Sequence, residues 1–138
     1  MFKKLMQAAL VASLVVGVAH AQQPASAAAP SPGIKRTILQ KVDVPGTTYE
    51  TVLGMAEIAP GMNAGRHTHP GPETGTVVEG EMVLIIEGQP DRTLKAGDSY
   101  QISAGTIHDV KTVGGPVKVI AVYVVPKGGP LAAPAPAK

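Results

Sequence analysis

The chain of 138 residues contains no cysteine and no tryptophan, and its aromatic side chains are one phenylalanine and three tyrosines. Without cysteine there is no disulfide staple, so an exported form of this chain must be held by its own core or by an oligomer. Three tyrosines, Tyr49, Tyr100 and Tyr123, cannot build a broad aromatic platform for a large planar ligand, which leaves small or aliphatic ones. A surplus of charge is missing as well. Lys and Arg number 12 against 10 Asp and Glu, but Lys3 and Lys4 belong to a separate N-terminal stretch, and without them the balance is even. Nothing in that balance points to nucleic acid or to an anionic membrane surface. The length suits one domain and leaves no room for a second.

No apolar run reaches the ~20 residues that span a bilayer. The longest, Leu5 to Val18, follows the two lysines and ends in the small-x-small order Ala19, His20, Ala21. That order is the pattern of a secretory signal peptide over residues 1–21, cleaved after Ala21. It predicts a secreted or periplasmic protein with no stable membrane association after cleavage. Residues 22–33 (QQPASAAAPSPG) and 128–138 (GGPLAAPAPAK) are rich in Pro and Ala and poor in large apolar groups, so both read as disordered tails.

Residues 34–127 remain as the folded domain. Short apolar runs rich in Val, Ile, Thr and Tyr cover Thr48 to Ile58, Thr74 to Glu79, Met82 to Glu87, Ser99 to Ile102, Ile107 to Thr112 and Val117 to Val125. Turn signals such as Pro45-Gly46, Glu79-Gly80, Ala96-Gly97-Asp98 and Gly114-Gly115-Pro116 separate them. The class predicted is all-β, a sandwich or barrel in which closure removes open edges. Consecutive apolar residues at Val83 to Ile86 predict a strand covered on both faces. Met55, Met62, Met82, Leu84, Ile86, Ile102 and Val122 are the expected core.

Past residue 21 the chain has three histidines, His67, His69 and His108. Side chains in a strand alternate, so His67 and His69 share a face while Arg66 and Thr68 take the other. Two imidazoles on one face, a third from a later strand and the carboxylate of Glu73 can converge on one divalent ion. Imidazole suits Fe, Mn, Ni, Cu and Zn, and a carboxylate adds a harder oxygen ligand with negative charge. By the same alternation Arg66 is a poor clamp for a substrate carboxylate.

The stretch from Gly61 through His67, His69 and Glu73 to Gly80 matches GxxxxxHxHxxxExxxxxxG, the first motif of the cupin family, at every fixed position. The second, GxxxxxPxGxxHxxxN, is matched by Gly97, Gly105 and His108, with Ser103 in place of proline and Thr112 in place of asparagine. Neither departure removes a ligand; they bear on turn rigidity at Ser103 and local hydrogen bonding at Thr112. The resemblance covers residues 47 to 125. It implies a small double-stranded β-helix or jelly-roll barrel of two antiparallel sheets, one divalent metal held by His67, His69, Glu73 and His108, and a homodimer.

Such a ligand set leaves coordination positions open on a six-coordinate ion, as in catalytic rather than structural sites. The activity expected is that of a metal-dependent enzyme acting on a small organic substrate, of the dioxygenase-like oxidoreductase kind. The alternatives are a Lewis-acid isomerase, lyase or decarboxylase, and a cupin that binds a metal or small ligand without turnover. Glu57, Tyr49, Gln101 and Tyr123 lie on strands that border such a site, but one sequence does not fix which way they point, so no acid or base is assigned. Asp98 is expected to satisfy backbone NH groups within its own turn.

Overall fold

The computed structural model describes residues 32–136. The expected signal peptide and most of the expected N-terminal tail lie outside the described residues. Ten strands follow in order: β1 Ile34–Asp43, β2 Tyr49–Ile58, β3 His67–Thr68, β4 Glu73–Glu79, β5 Glu81–Ile86, β6 Arg92–Lys95, β7 Ser99–Ile102, β8 His108–Thr112, β9 Val117–Pro126 and β10 Ala133–Pro134. They form two five-stranded antiparallel sheets, ordered β1-β2-β9-β4-β7 and β10-β3-β8-β5-β6. Described residues contain no helix. This is the all-β, jelly-roll arrangement that the two motifs implied.

Alternation decides what faces inward. On β5, Met82, Leu84 and Ile86 are buried while Val83 and Ile85, pointing outward, are half-buried. The expectation that this strand is covered on both faces is therefore met only on the inner one within a single chain. Across the first sheet the register lays inward residues in rows: Ile58 beside Val117, Ala56 beside Val119 and Val77, Gly54 beside Ala121 and Gly75, and Val52 beside Tyr123 and Glu73. The second sheet answers with Thr112, Met82 and Leu94 in one row, Val110 and Leu84 in the next, and His67, His108 and Ile86 in the last. Of the expected core, Met82, Leu84, Ile86 and Ile102 are buried and Met62 packs against them. Val122 is not core: it is 37% exposed, because its neighbours Ala121 and Tyr123 hold the inward positions of β9.

Two turns carry particular constraints. Gly80 joins β4 to β5 with φ of 83°, a left-handed conformation in which a Cβ would also collide with the Pro116 carbonyl. Asp98 accepts the Lys95 backbone NH through Oδ2 at 2.9 Å, the turn role expected of it. Where the second motif lacks its usual asparagine, the buried Thr112 hydroxyl donates to the Met62 carbonyl at 3.3 Å.

One strand was not singled out in the sequence, and one part of the sequence reading needs correction. Residues 34–43, inside the expected domain, form a ten-residue edge strand paired along β2, with a bulge between Ile38 and Gln40. Residues 128–136 were expected as a disordered tail, yet they run back across the mouth of the barrel. There Ala133 and Pro134 pair with Thr68 and His67, and the Ala135 NH donates to the Arg66 carbonyl at 2.9 Å. The physical reason is backbone pairing: a segment whose one large apolar side chain is Leu131 orders itself here by supplying an edge to β3, a strand only two residues long.

Candidate metal centre

The three histidines meet at one end of the barrel. His67 and His108 are direct register partners on β3 and β8, and His69 follows on the loop toward β4, where Glu73 is the first residue. One nitrogen from each imidazole lies within 4.8 Å of the other two. His69, Glu73 and His108 are at most 5% exposed, so these are not surface histidines.

The outer ring nitrogens settle which inner atoms are free. His67 Nδ1 lies 2.6 Å from the Gly65 carbonyl, His69 Nδ1 2.7 Å from the Leu131 carbonyl and His108 Nδ1 2.9 Å from the Thr106 carbonyl. A carbonyl only accepts, so each Nδ1 carries a proton and each neutral ring turns an Nε2 lone pair inward. Backbone carbonyls in this position are the usual way to fix the tautomer of a metal-ligating histidine. The Leu131 carbonyl comes from the C-terminal strap.

Glu73 presents its two oxygens differently. Oε1 accepts the Tyr100 hydroxyl at 2.8 Å. Oε2 lies 3.1 Å from His69 Nε2 and 3.4 Å from His108 Nε2. His69 Nε2 and Glu73 Oε2 are buried without a hydrogen-bond partner. Two acceptors facing each other at that distance, out of water, require a proton or a cation between them. A divalent ion on three imidazole nitrogens and one carboxylate oxygen meets that requirement, so the residues present fit the metal that the motifs imply.

Electrostatics follow the same geometry. The His67 ring is lowered to about 4 by burial first and by the neighbouring His108 second, which keeps it a neutral donor at ordinary pH. Burial pushes the Glu73 carboxyl up, but the adjoining His108 and His69 rings and the Tyr100 hydroxyl outweigh it and hold the group well below the ordinary carboxylate range. Tyr100 and Tyr123 are both pushed up, by burial and then by the Glu73 charge, and stay protonated.

Tyr100 was not singled out from the sequence, because its place depends on a residue 25 positions away. Gly75 is its register partner, and a Cβ at Gly75 would collide with the phenol ring. The missing side chain lets the ring lie across β4 and deliver its hydroxyl to Glu73, two residues along on the same face. Of the four strand residues considered as bordering the site, only Tyr123 does so, its ring centroid 4.7 Å from that of His69. Tyr49 is 42% exposed, Gln101 points outward, and Glu57 sits on the surface near Lys35 and Lys118. Arg66 is engaged by Glu87 and by the Pro136 carbonyl, each at 3.0 Å.

Above the histidines opens a cavity of about 650 Å³, bordered by inner-face residues of β1 and β2, by Ala121 and Tyr123, and by the strap from Gly128 to Pro134. That volume suits a small organic molecule.

Similarities to known proteins agree with this reading of the fold. The HTH-type transcriptional regulator PuuR of Escherichia coli is 46% identical over 66 residues, which cover 46% of this chain and 35% of the regulator. The chain thus spans about a third of the length of the curated relatives it matches. A double-stranded β-helix protein from Klebsiella pneumoniae shares 28% identity and a TM-score of 0.61, over 78% of this chain and 90% of that one. An oxalate oxidase solved in complex with glycolate superposes with a TM-score of 0.60 at 24% identity, over 80% of this chain and 59% of the other. Residues 54–123, half of the chain and the part that carries all four candidate ligands, match the cupin domain; the chain belongs to the cupin family.

Proposed function

We propose that the chain is a metal-dependent enzyme acting on a small organic substrate, of the oxygenase kind, with His67, His69, Glu73 and His108 as the metal ligands. The observation that carries the proposal is the set of three Nδ1–carbonyl hydrogen bonds, which turns three Nε2 lone pairs inward beneath a cavity of about 650 Å³, those of His69 and His108 against the buried Glu73 Oε2. A structural role alone would not leave buried acceptors facing one another under an open chamber. When bound, the metal supplies open positions for the substrate and either redox or Lewis-acid chemistry. The protein's own residues hold the ligand atoms, keep Tyr100 and Tyr123 protonated beside Glu73, and roof the cavity with the strap. The oxalate oxidase of similar fold supports oxygen chemistry, and the proposal extends to an exported protein, cleaved after Ala21, that forms a homodimer.

Elemental analysis of protein prepared without chelator, beside a His67→Ala/His108→Ala double variant, tests the site. About one equivalent of metal in the parent and none in the folded variant is the expected result. No metal in either, even after reconstitution, removes the reading. Oxygen uptake by Fe(II)- or Mn(II)-loaded protein with small enols, hydroxy acids and phenols then tests the reaction.

A second reading is favoured by the relative PuuR, a transcriptional regulator: the cupin unit as a module that binds a metal or small ligand without turnover. Metal retention with no turnover across metals and substrates would select it.

A further inference from the structure

Arg36 on β1 stands at the mouth of the cavity without a carboxylate partner among the described residues. Its direction is set by register: Arg36 pairs with Ala56, and Ala56 with Val119, so all three share the inner face of the sheet. The small side chain of Ala56 and the absent one of Gly54 leave the guanidinium room to extend inward. Its Nη2 comes within 3.5 Å of the Ala64 carbonyl, in the loop that leads to His67, so the side chain bridges the mouth from the first sheet toward the metal ligands of the second. One contact of that length to a neutral carbonyl leaves most of the five guanidinium donors unused.

The other charged groups around the cavity are matched. Lys41 lies 3.0 Å from Glu50, Arg66 lies 3.0 Å from Glu87, and Glu73 faces His69 and His108. A divalent ion on three neutral imidazoles and one carboxylate leaves a net charge of one at the floor, and Arg36 adds a second positive charge at the rim. A recess walled largely by apolar side chains focuses such a field and draws in an anion. The planar fork of arginine matches the two oxygens of a carboxylate. Phosphate fits less well, since no helix among the described residues offers its N-terminus to share a second negative charge.

We infer that the cavity takes a small organic acid, with one end at the metal and a carboxylate held by the Arg36 guanidinium. The inference rests on the metal site proposed above and names the substrate class for it.

The experiment uses the Mn(II)-loaded chain and its Arg36→Gln and Arg36→Lys variants. Calorimetric titrations with malonate, succinate and glutarate are compared with those of their monoamides, and Mn(II) affinity is measured in parallel. The expected result is that at least one diacid binds the parent on the order of tenfold more tightly than its monoamide, and that Arg36→Gln removes this preference while leaving Mn(II) binding unchanged. Arg36→Lys should restore part of it, since it keeps the charge and loses the fork. Equal diacid affinity in parent and Arg36→Gln, or no preference for diacid in the parent, with Mn(II) bound in both, overturns the Arg36 assignment and leaves the metal site standing. Failure of every protein to bind Mn(II) or any other divalent ion overturns the metal site, and this inference with it.

Discussion

The two ends of the barrel follow the same alternation and use it for opposite purposes. At one end the inward positions carry Ile58, Val77, Met82, Leu84, Leu94 and Val117, all at most 5% exposed and packed in one cluster. At the other, Val52, Ile86 and Ile102 still face in, but among them stand small positions, as at Gly54, Gly75 and Ala121, and polar ones, as at Glu73, His108 and Tyr123. Alternation therefore settles only which residues face in. Their size and polarity settle whether the interior is filled or left as a chamber. The filled end supplies the apolar burial, roughly 1.5–3 kcal/mol for each large aliphatic side chain, that lets the same small barrel tolerate buried acceptors at the other.

This division can be broken most directly at the filled end. Leu84, 1% exposed, is among the largest fully buried side chains, and Leu84→Ala should lower stability by about 2–5 kcal/mol in denaturant unfolding. The folded fraction should still bind one metal per chain, because none of the four candidate ligands packs in Leu84's row. Loss of metal from variant protein that remains folded would show that the two ends are not separable.

Removing residues 128–138 acts on the other end alone. No residue of the strap belongs to the core cluster, so the barrel should keep its fold and nearly all its stability. What goes is the Leu131 carbonyl that fixes the His69 tautomer, along with β10 beside His67. Outer partners of this kind are worth ~10–100-fold in metal affinity. That loss, measured by competition with a chelator, should appear without a shift in the unfolding midpoint of the metal-free protein. Unchanged affinity would make the strap a cover only.

How much of this was readable in advance depends on whether the signal is local. The four candidate ligands lie in two motifs of fixed spacing, and the strand class lies in short Val- and Ile-rich runs between turn glycines; both are local. β1 was hidden because its outward positions, among them Lys35 and Val42, are exposed at a sheet edge and show no clean apolar stripe. Arg36 became visible as a cavity residue only once that strand was registered against β2. The strap was hidden because backbone pairing, with no side-chain signature, orders a Pro/Ala-rich segment. Tyr100 needed Gly75 across the sheet, a pairing that composition does not announce.

Tyr100→Phe is the finest test of the contrast between the ends, and the smallest in effect. The phenol ring lies over Gly75 and belongs to the buried cluster, so in shape it is part of the core. Its hydroxyl belongs to the site, donating to Glu73 Oε1 so that Oε2 alone turns toward His69 and His108. The substitution keeps the first contribution and deletes the second. Stability of the metal-free protein should change by no more than about 1 kcal/mol, the net worth of an ordinary hydrogen bond. Metal affinity should fall by roughly tenfold, the lower end of what an outer partner contributes, because one oxygen of Glu73 becomes free to rotate away. A Co(II)-loaded sample adds a readout that a packing defect would not move: its visible absorption should change if the carboxylate turns. An unchanged spectrum and affinity would mean that the sheet alone orients Glu73, and that Tyr100 belongs wholly to the filled end.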